Sequence, residues 1–224
     1  MKKKIFIVAL VVCIMAISIA SASIAYFTDT EKATNTFISG DVEIALYETN
    51  DAAEETKVTE SVNTFEYKNK YPGQSVAKKP TIKNVANDAA YVAGIITLGS
   101  GDGADITTLL ANDAAVKAFL TGGAMNDATT KIVRDEDAKT ITIYIIAADA
   151  VAKDGTFVLF NNVEIPAKWD SAQMAKFANL TIEVEAYAVQ KAGFNSAAAA
   201  IEAAFGGGAD STNAAFKPYF NANP

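Results

Sequence analysis

Alternation of apolar and polar residues is the dominant periodic signal in this chain. Over residues 180–188, apolar side chains at the even positions alternate with Thr181, Glu183, Glu185 and Tyr187, which predicts a strand with one face toward water. Residues 41–47 alternate in the same way, and residues 91–98 form an apolar run that is typical of a central strand. Further strands are predicted at 62–67, 80–85 and 156–163, and a hairpin at 131–146 around the charged turn 134–137.

Helices are expected to be few and short. Asp105 is placed to cap one helix whose apolar positions run from Leu109 to Leu120. Asp170 or Ser171 begins a second helix, which extends through residue 177, and Ser196 begins an alanine-rich third helix that ends near Phe205. The aromatic residues of the C-terminal tail, Phe216, Tyr219 and Phe220, are expected to pack onto the domain.

Many short strands separated by turn signals, with few helices, predict an all-β fold. The expected architecture is a two-sheet β-sandwich with a few short peripheral helices. Residues 26–224 are long enough to form one domain with a substantial core.

The first 25 residues have the pattern of a secretory signal peptide. Three lysines precede an apolar run over residues 5–20, and Ser23-Ile24-Ala25 fits a small-x-small cleavage site between Ala25 and Tyr26. The run is also long enough for an uncleaved membrane anchor, which is the alternative. The single cysteine, Cys13, lies inside this segment, so no disulfide is available to residues 26–224.

Charge and composition narrow the range of functions. Without the three leader lysines the chain has 16 basic and 26 acidic residues, a formal charge of −10. Such a surface is a poor match for nucleic acid, whose affinity depends on neutralising phosphates. The chain has no histidine, which removes the commonest general base and the commonest zinc ligand.

Acidic residues are the remaining candidates for site chemistry. Asp102 and Asp105 in a glycine-rich loop, and Asp135, Glu136 and Asp137 in the hairpin turn, are candidate calcium ligands. Neither group has EF-hand spacing, and a turn plus a helix cap accounts for both. Without histidine a Ser-His pair is excluded, whereas a Ser-Lys pair or two paired carboxylates remain open. We predict no catalytic site, no cofactor and no metal.

Several stretches resemble the TasA/camelysin family of secreted bacterial proteins. They are AYFTDTE from Ala25, NTFISG from Asn35, VEIAL from Val42, YPGQ from Tyr71, KPTIKN from Lys79, GTFVLFNNVEIP from Gly155 and IEVEAYAVQKAGF from Ile182. Their order and joint presence carry the resemblance. The chain departs from the family at Ala93-Gly94, where relatives often have an arginine.

The resemblance implies export through a SipW-type signal peptidase, a jelly-roll-like sandwich, and assembly with other copies of itself into extracellular fibres of a biofilm matrix. The N-terminal segment 26–37 of one subunit then adds a strand to a sheet of the next, with Tyr26, Phe27, Thr28 and Phe37 as the donor residues. The alternatives are pairing of this segment within its own domain, and a monomeric surface adhesin or accessory fibre subunit. Camelysin has been described as a metallopeptidase, an activity that a chain without histidine is poorly equipped to perform.

Overall fold

A computed structural model describes residues 28–31, 35–36, 42–49, 52–67, 70–101, 104–177, 179–208, 211 and 213–221, the first two ranges by their backbone. Antiparallel strands dominate these residues, which confirms the predicted all-β class with few short helices. The strands are β1 (Thr28–Glu31), β2 (Asn35–Thr36), β3 (Ile44–Thr49), β4 (Glu55–Lys57), β5 (Ser75–Ala77), β6 (Thr81–Asn84), β7 (Ala90–Ser100), β8 (Leu120–Thr121), β9 (Thr130–Asp135), β10 (Thr140–Ile146), β11 (Thr156–Val158), β12 (Asn162–Glu164) and β13 (Leu180–Gln190). The helices are α1 (Ile106–Leu109), α2 (Asp113–Phe119), α3 (Ser171–Phe177), α4 (Ala197–Phe205) and α5 (Lys217–Asn221).

The described strands hydrogen-bond into three sheets. The largest has the order β2-β1-β13-β7-β10-β9, the second β11-β6-β3-β4, and the third β5-β12-β8. The apolar run predicted as a central strand is β7, which pairs with β13 on one side and β10 on the other. The expected hairpin is also confirmed, since β9 and β10 pair across the turn from Asp135 to Thr140.

The main core lies on one face of the six-stranded sheet. Buried residues of β7 and β10, such as Ile96 and Ile143, pack there against Ile44 and Ile82 of the four-stranded sheet and Val163 of the three-stranded sheet. Burial of this apolar surface is the main source of stability for a domain of this kind.

A second core covers part of the opposite face of the same sheet. Helix α4, capped by the Ser196 side chain as expected, buries Ile201 and Phe205 against Tyr187 and Val189 of β13. The face of β13 predicted to be wet is therefore exposed only in its first half, at Thr181 and Glu183. The tail packs as expected, because Phe216 is fully buried beside Tyr187 at a ring distance of 5.2 Å.

Three local predictions are corrected by the structure. Residues 62–67 form no strand apart from an isolated bridge between Thr59 and Val62, whereas β4 lies before them at Glu55–Lys57. The single strand expected over 156–163 is two strands, β11 and β12, in different sheets. The helix expected from Asp105 to Leu120 is divided into α1 and α2, because Asn112 begins a new helix by accepting a hydrogen bond from the Ala115 N–H.

Candidate functional site

The candidate subunit interface is the outer edge of β13. This strand is 11 residues long and pairs along its whole length with β7 on its inner side. On its outer side β1 pairs antiparallel with residues 186–189, with Thr28 opposite Val189 and Glu31 opposite Ala186. The described part of the chain supplies no strand partner on that side for residues 180–184.

β1 is part of a short hairpin. Thr30 and Glu31 pair with Thr36 and Asn35 of β2, so the N-terminal segment turns back after Glu31. Of the predicted donor residues, Thr28 therefore lies on the β13 edge of its own chain. Tyr26, Phe27, Phe37 and the expected cleavage site after Ala25 lie outside the described residues.

The uncovered half of β13 presents both apolar side chains and main-chain groups. Leu180, Ile182 and Val184 face the main core but are only partly buried. Thr181 and Glu183 on the other face are exposed. An edge with this alternation favours the addition of an extended segment, because a strand supplies hydrogen bonds to the backbone and side chains to the apolar positions.

The two acidic groups considered as candidate calcium ligands meet at one threonine. The Thr107 hydroxyl oxygen lies 2.7 Å from Asp105 Oδ1 and 2.5 Å from Glu136 Oε2, and Thr107 is buried. A hydroxyl donates one proton, so it bonds one carboxylate at a time. The hydrogen bond from Thr107 is also the main cause that lowers the pKa of Asp105.

The same acidic residues have structural roles that the sequence also suggested. Asp105 Oδ1 accepts from the Thr108 N–H as the N-cap of α1, and Asp135 Oδ1 accepts from the Ala138 N–H in the hairpin turn. Asp102 lies outside the described residues. Within the described ranges, no group of three or more Asp, Glu, His or Cys side chains is arranged to hold a metal ion.

A buried ion pair was missed at the sequence level. Lys78 Nζ contacts Glu48 Oε2, and both side chains are more than 90% buried. The signal was present in the alternation of β3: Ile44 and Leu46 point into the core, so Glu48, two residues further on, is placed on the same face. The partner could not be inferred, since Lys78 lies 30 residues away.

Among the described helices none is long and apolar enough to span a bilayer. Comparison of the chain with protein-family models, characterised proteins and solved structures finds no match.

Proposed function

We propose that this protein is a secreted structural subunit of an extracellular fibre or biofilm matrix, in which the N-terminal segment of one subunit adds a strand to β13 of the next. The observation that carries the proposal is the position of β1 on the outer edge of β13. β1 is the first described strand of the chain, and β13 is the last, so the contact joins distant parts of the sequence. A strand held at a sheet edge can be exchanged for the same strand of another copy without changing the fold.

The length of the donor segment matches the length of β13. β1 and β13 run antiparallel, so the residue number on β13 falls by one as the number on β1 rises by one. The pairs run from Thr28–Val189 to Glu31–Ala186. Continued at this register, an extended donor places Phe37 opposite Leu180, so the segment 26–37 spans the whole strand. The β1–β2 hairpin would then open on assembly into a single continuous strand.

The gain from this extension comes from the half of β13 that β1 does not pair with. Residues 180–184 acquire main-chain hydrogen bonds, and Leu180, Ile182 and Val184 lose their remaining exposure to water. Full burial of such side chains stabilises by about 1.5–3 kcal/mol each, so completing a partial burial contributes about 1 kcal/mol per residue. This difference favours an extended donor segment over the β1–β2 hairpin.

The sequence features of the chain support the extracellular setting. The N-terminal 25 residues have the pattern of a signal peptide, and the stretches quoted above resemble the TasA/camelysin family. The absence of histidine supports a structural role over the peptidase alternative. A surface adhesin or accessory subunit is the outcome if the protein stays monomeric.

The first test compares filament formation by residues 26–224 with that of a version that begins at Gly40. Negative-stain electron microscopy is expected to show filaments from the long form only. Filaments from both forms would retain the structural role but refute strand donation. Folded monomers from both forms, at high concentration and across pH, would refute the structural role and favour the adhesin.

The second test traps the register between two chains. Residues 26–224 contain no cysteine, so a chain with Asp29→Cys and a chain with Ala188→Cys carry one thiol each. Asp29 and Ala188 are opposite each other in the β1–β13 pair, and opposite residues lie within disulfide reach. Mixing the two chains under oxidation is expected to give disulfide-linked heterodimers. The matched control replaces Ala188→Cys with Thr181→Cys on the same strand, and equal cross-linking by the control would contradict the register.

A further inference from the structure

The buried Lys78–Glu48 pair joins two different sheets. Glu48 lies in β3 of the four-stranded sheet, and Lys78 directly follows β5 of the three-stranded sheet. The relative exposure of the two side chains is 7% for Lys78 and 5% for Glu48. Lys78 Nζ is in direct contact with Glu48 Oε2.

The surroundings of the pair distinguish the two carboxylate oxygens. Glu48 Oε1 accepts a hydrogen bond of 2.9 Å from the Thr49 N–H, which leaves Oε2 to the lysine. The Tyr67 ring lies over Lys78 Nζ at 5.5 Å, and the Tyr67 hydroxyl donates to the Thr49 carbonyl. The partly buried Tyr67 ring thus packs against the lysine of the pair.

Both charged groups of the pair are removed from water. Buried charges are costly, and an amide between the two groups eliminates both of them. Because Oε2 is bonded to Cδ, the same contact brings Lys78 Nζ near the carbon that it would attack. Fixed contact of this kind corresponds to effective molarities of up to about 10⁵–10⁸ M.

We propose that Lys78 and Glu48 condense into an intramolecular isopeptide bond. The bond from Lys78 Nζ to Glu48 Cδ forms, and the bond from Cδ to Oε2 breaks. Oε2 leaves as water, with the proton it received from the ammonium and a second proton from Nζ. Charge that develops on Oε1 is stabilised by the Thr49 N–H, in the manner of an oxyanion hole. One water is released and no oxidant, cofactor or second protein is consumed.

An amide at this position would link the two sheets covalently, as disulfides link parts of many extracellular proteins. Residues 26–224 contain no cysteine, so covalent connection between the sheets is available only through other side chains. The bond closes the loop between residues 48 and 78 and restricts the unfolded chain. This inference does not depend on strand donation.

Two other lysine contacts of the chain provide internal controls. Lys83 Nζ lies 3.1 Å from Asp154 Oδ1, with exposures of 32% and 66%, and Lys153 Nζ lies 2.7 Å from Asn87 Oδ1 at an exposed site. Both contacts are open to water, so replacing the polar groups by an amide relieves no cost of burial there. We expect no covalent bond at either.

The test is the intact mass of the purified, unfolded chain, with its N-terminus established by sequencing. The wild-type protein is expected to be lighter than its sequence by one water, and proteolysis is expected to release a branched peptide that contains both Lys78 and Glu48. Lys78→Arg, which keeps the charge but lacks the primary amine, should have its full calculated mass. Lys83→Arg should still show the loss of water.

Either of two results would overturn the proposal. The first is a wild-type chain with the full calculated mass. The second is a loss of water that maps to any other residues, or that persists in Lys78→Arg. Because the wild-type measurement is decisive by itself, a variant that fails to fold does not weaken the test.

Discussion

Gly94 occupies a position in β7 where a single methyl group is expected to destabilise the domain. An ideal Cβ built on Gly94 lies 2.6 Å from Leu159 Cδ2, 2.7 Å from Leu159 Cδ1 and 3.2 Å from Leu159 Cγ. Leu159 is fully buried in the main core. Because Cγ is close as well as both methyl carbons, turning the end of the leucine side chain does not relieve the overlap. Gly94→Ala therefore requires a shift of the Leu159 side chain as a whole or of the backbone.

The magnitude follows from two opposing effects. Overpacking a core of this kind costs about 1–3 kcal/mol. Replacing glycine by alanine inside a strand contributes about 0.5–1 kcal/mol of stabilisation through the entropy of the unfolded chain. Gly94→Ala is thus expected to lower the free energy of unfolding by about 1–2 kcal/mol. For a domain of this size each kcal/mol lowers the melting temperature by about 2–4 °C.

Gly99 in the same strand is the matched control. An ideal Cβ there lies 3.4 Å from Thr181 Oγ1 and 3.6 Å from Thr140 Cγ2, which is ordinary van der Waals contact. Gly99→Ala is therefore expected to be neutral or to stabilise by up to about 1 kcal/mol. The same substitution five residues apart in one strand should therefore destabilise the domain at Gly94 but not at Gly99.

Chemical denaturation of both variants measures the effect, and a double-mutant cycle identifies its cause. Leu159→Ala alone is expected to cost about 2–5 kcal/mol because it leaves a cavity. In the Gly94→Ala background this cost should be smaller by about 1 kcal/mol or more, since the new methyl group fills part of the space. Wild-type stability of Gly94→Ala, or independent effects of the two substitutions, would refute the steric argument.

Three further variants test other parts of the core. Burial, and then the hydrogen bond to Glu185, raise the pKa of Tyr187 far above its ordinary value of 10.0. The un-ionised Tyr187 side chain therefore makes its full contribution to the free energy of unfolding below pH 10. This contribution is lost as the pH rises above 10, because tyrosine ionises at a lower pH in the unfolded chain than in the folded protein. Denaturation midpoints above pH 10 should fall less steeply for Tyr187→Phe than for the wild type, and equal slopes would contradict this. The side-chain amide of buried Asn84 donates to two backbone carbonyls. Asn84→Asp should therefore lower the free energy of unfolding by about 2 kcal/mol or more at neutral pH, and part of this loss should be recovered in acid, where the introduced carboxyl is protonated. A loss that does not change with pH would argue against these hydrogen bonds. The Phe216 ring is fully buried, with its centroid 5.6 Å from that of Tyr144, so Phe216→Ala should lower the free energy of unfolding by about 3–5 kcal/mol in chemical denaturation. Phe220 is partly exposed, so Phe220→Ala should have a smaller effect. Equal effects of the two substitutions would show that the tail does not pack as described.

Local features of this protein were determined by the sequence alone. The alternation at 180–188 predicted β13, and Ser196 predicted the start of α4, because side-chain periodicity and capping involve only neighbouring residues. The hairpin of β9 and β10 is local for the same reason. These short-range signals were sufficient for the all-β class.

Only the tertiary structure decided how the strands are distributed and what covers them. β11 and β12 are nearly adjacent in sequence but belong to different sheets, and the face of β13 expected in water is half covered by α4. Strand partners are chosen by packing between distant segments, which periodicity does not encode. The candidate sites depend on the same long-range choices: Asp105 reaches Glu136 through Thr107, and β1 reaches β13 across almost the whole chain. The buried position of Glu48 followed from alternation, whereas its contact with Lys78 arose only when two sheets were brought together.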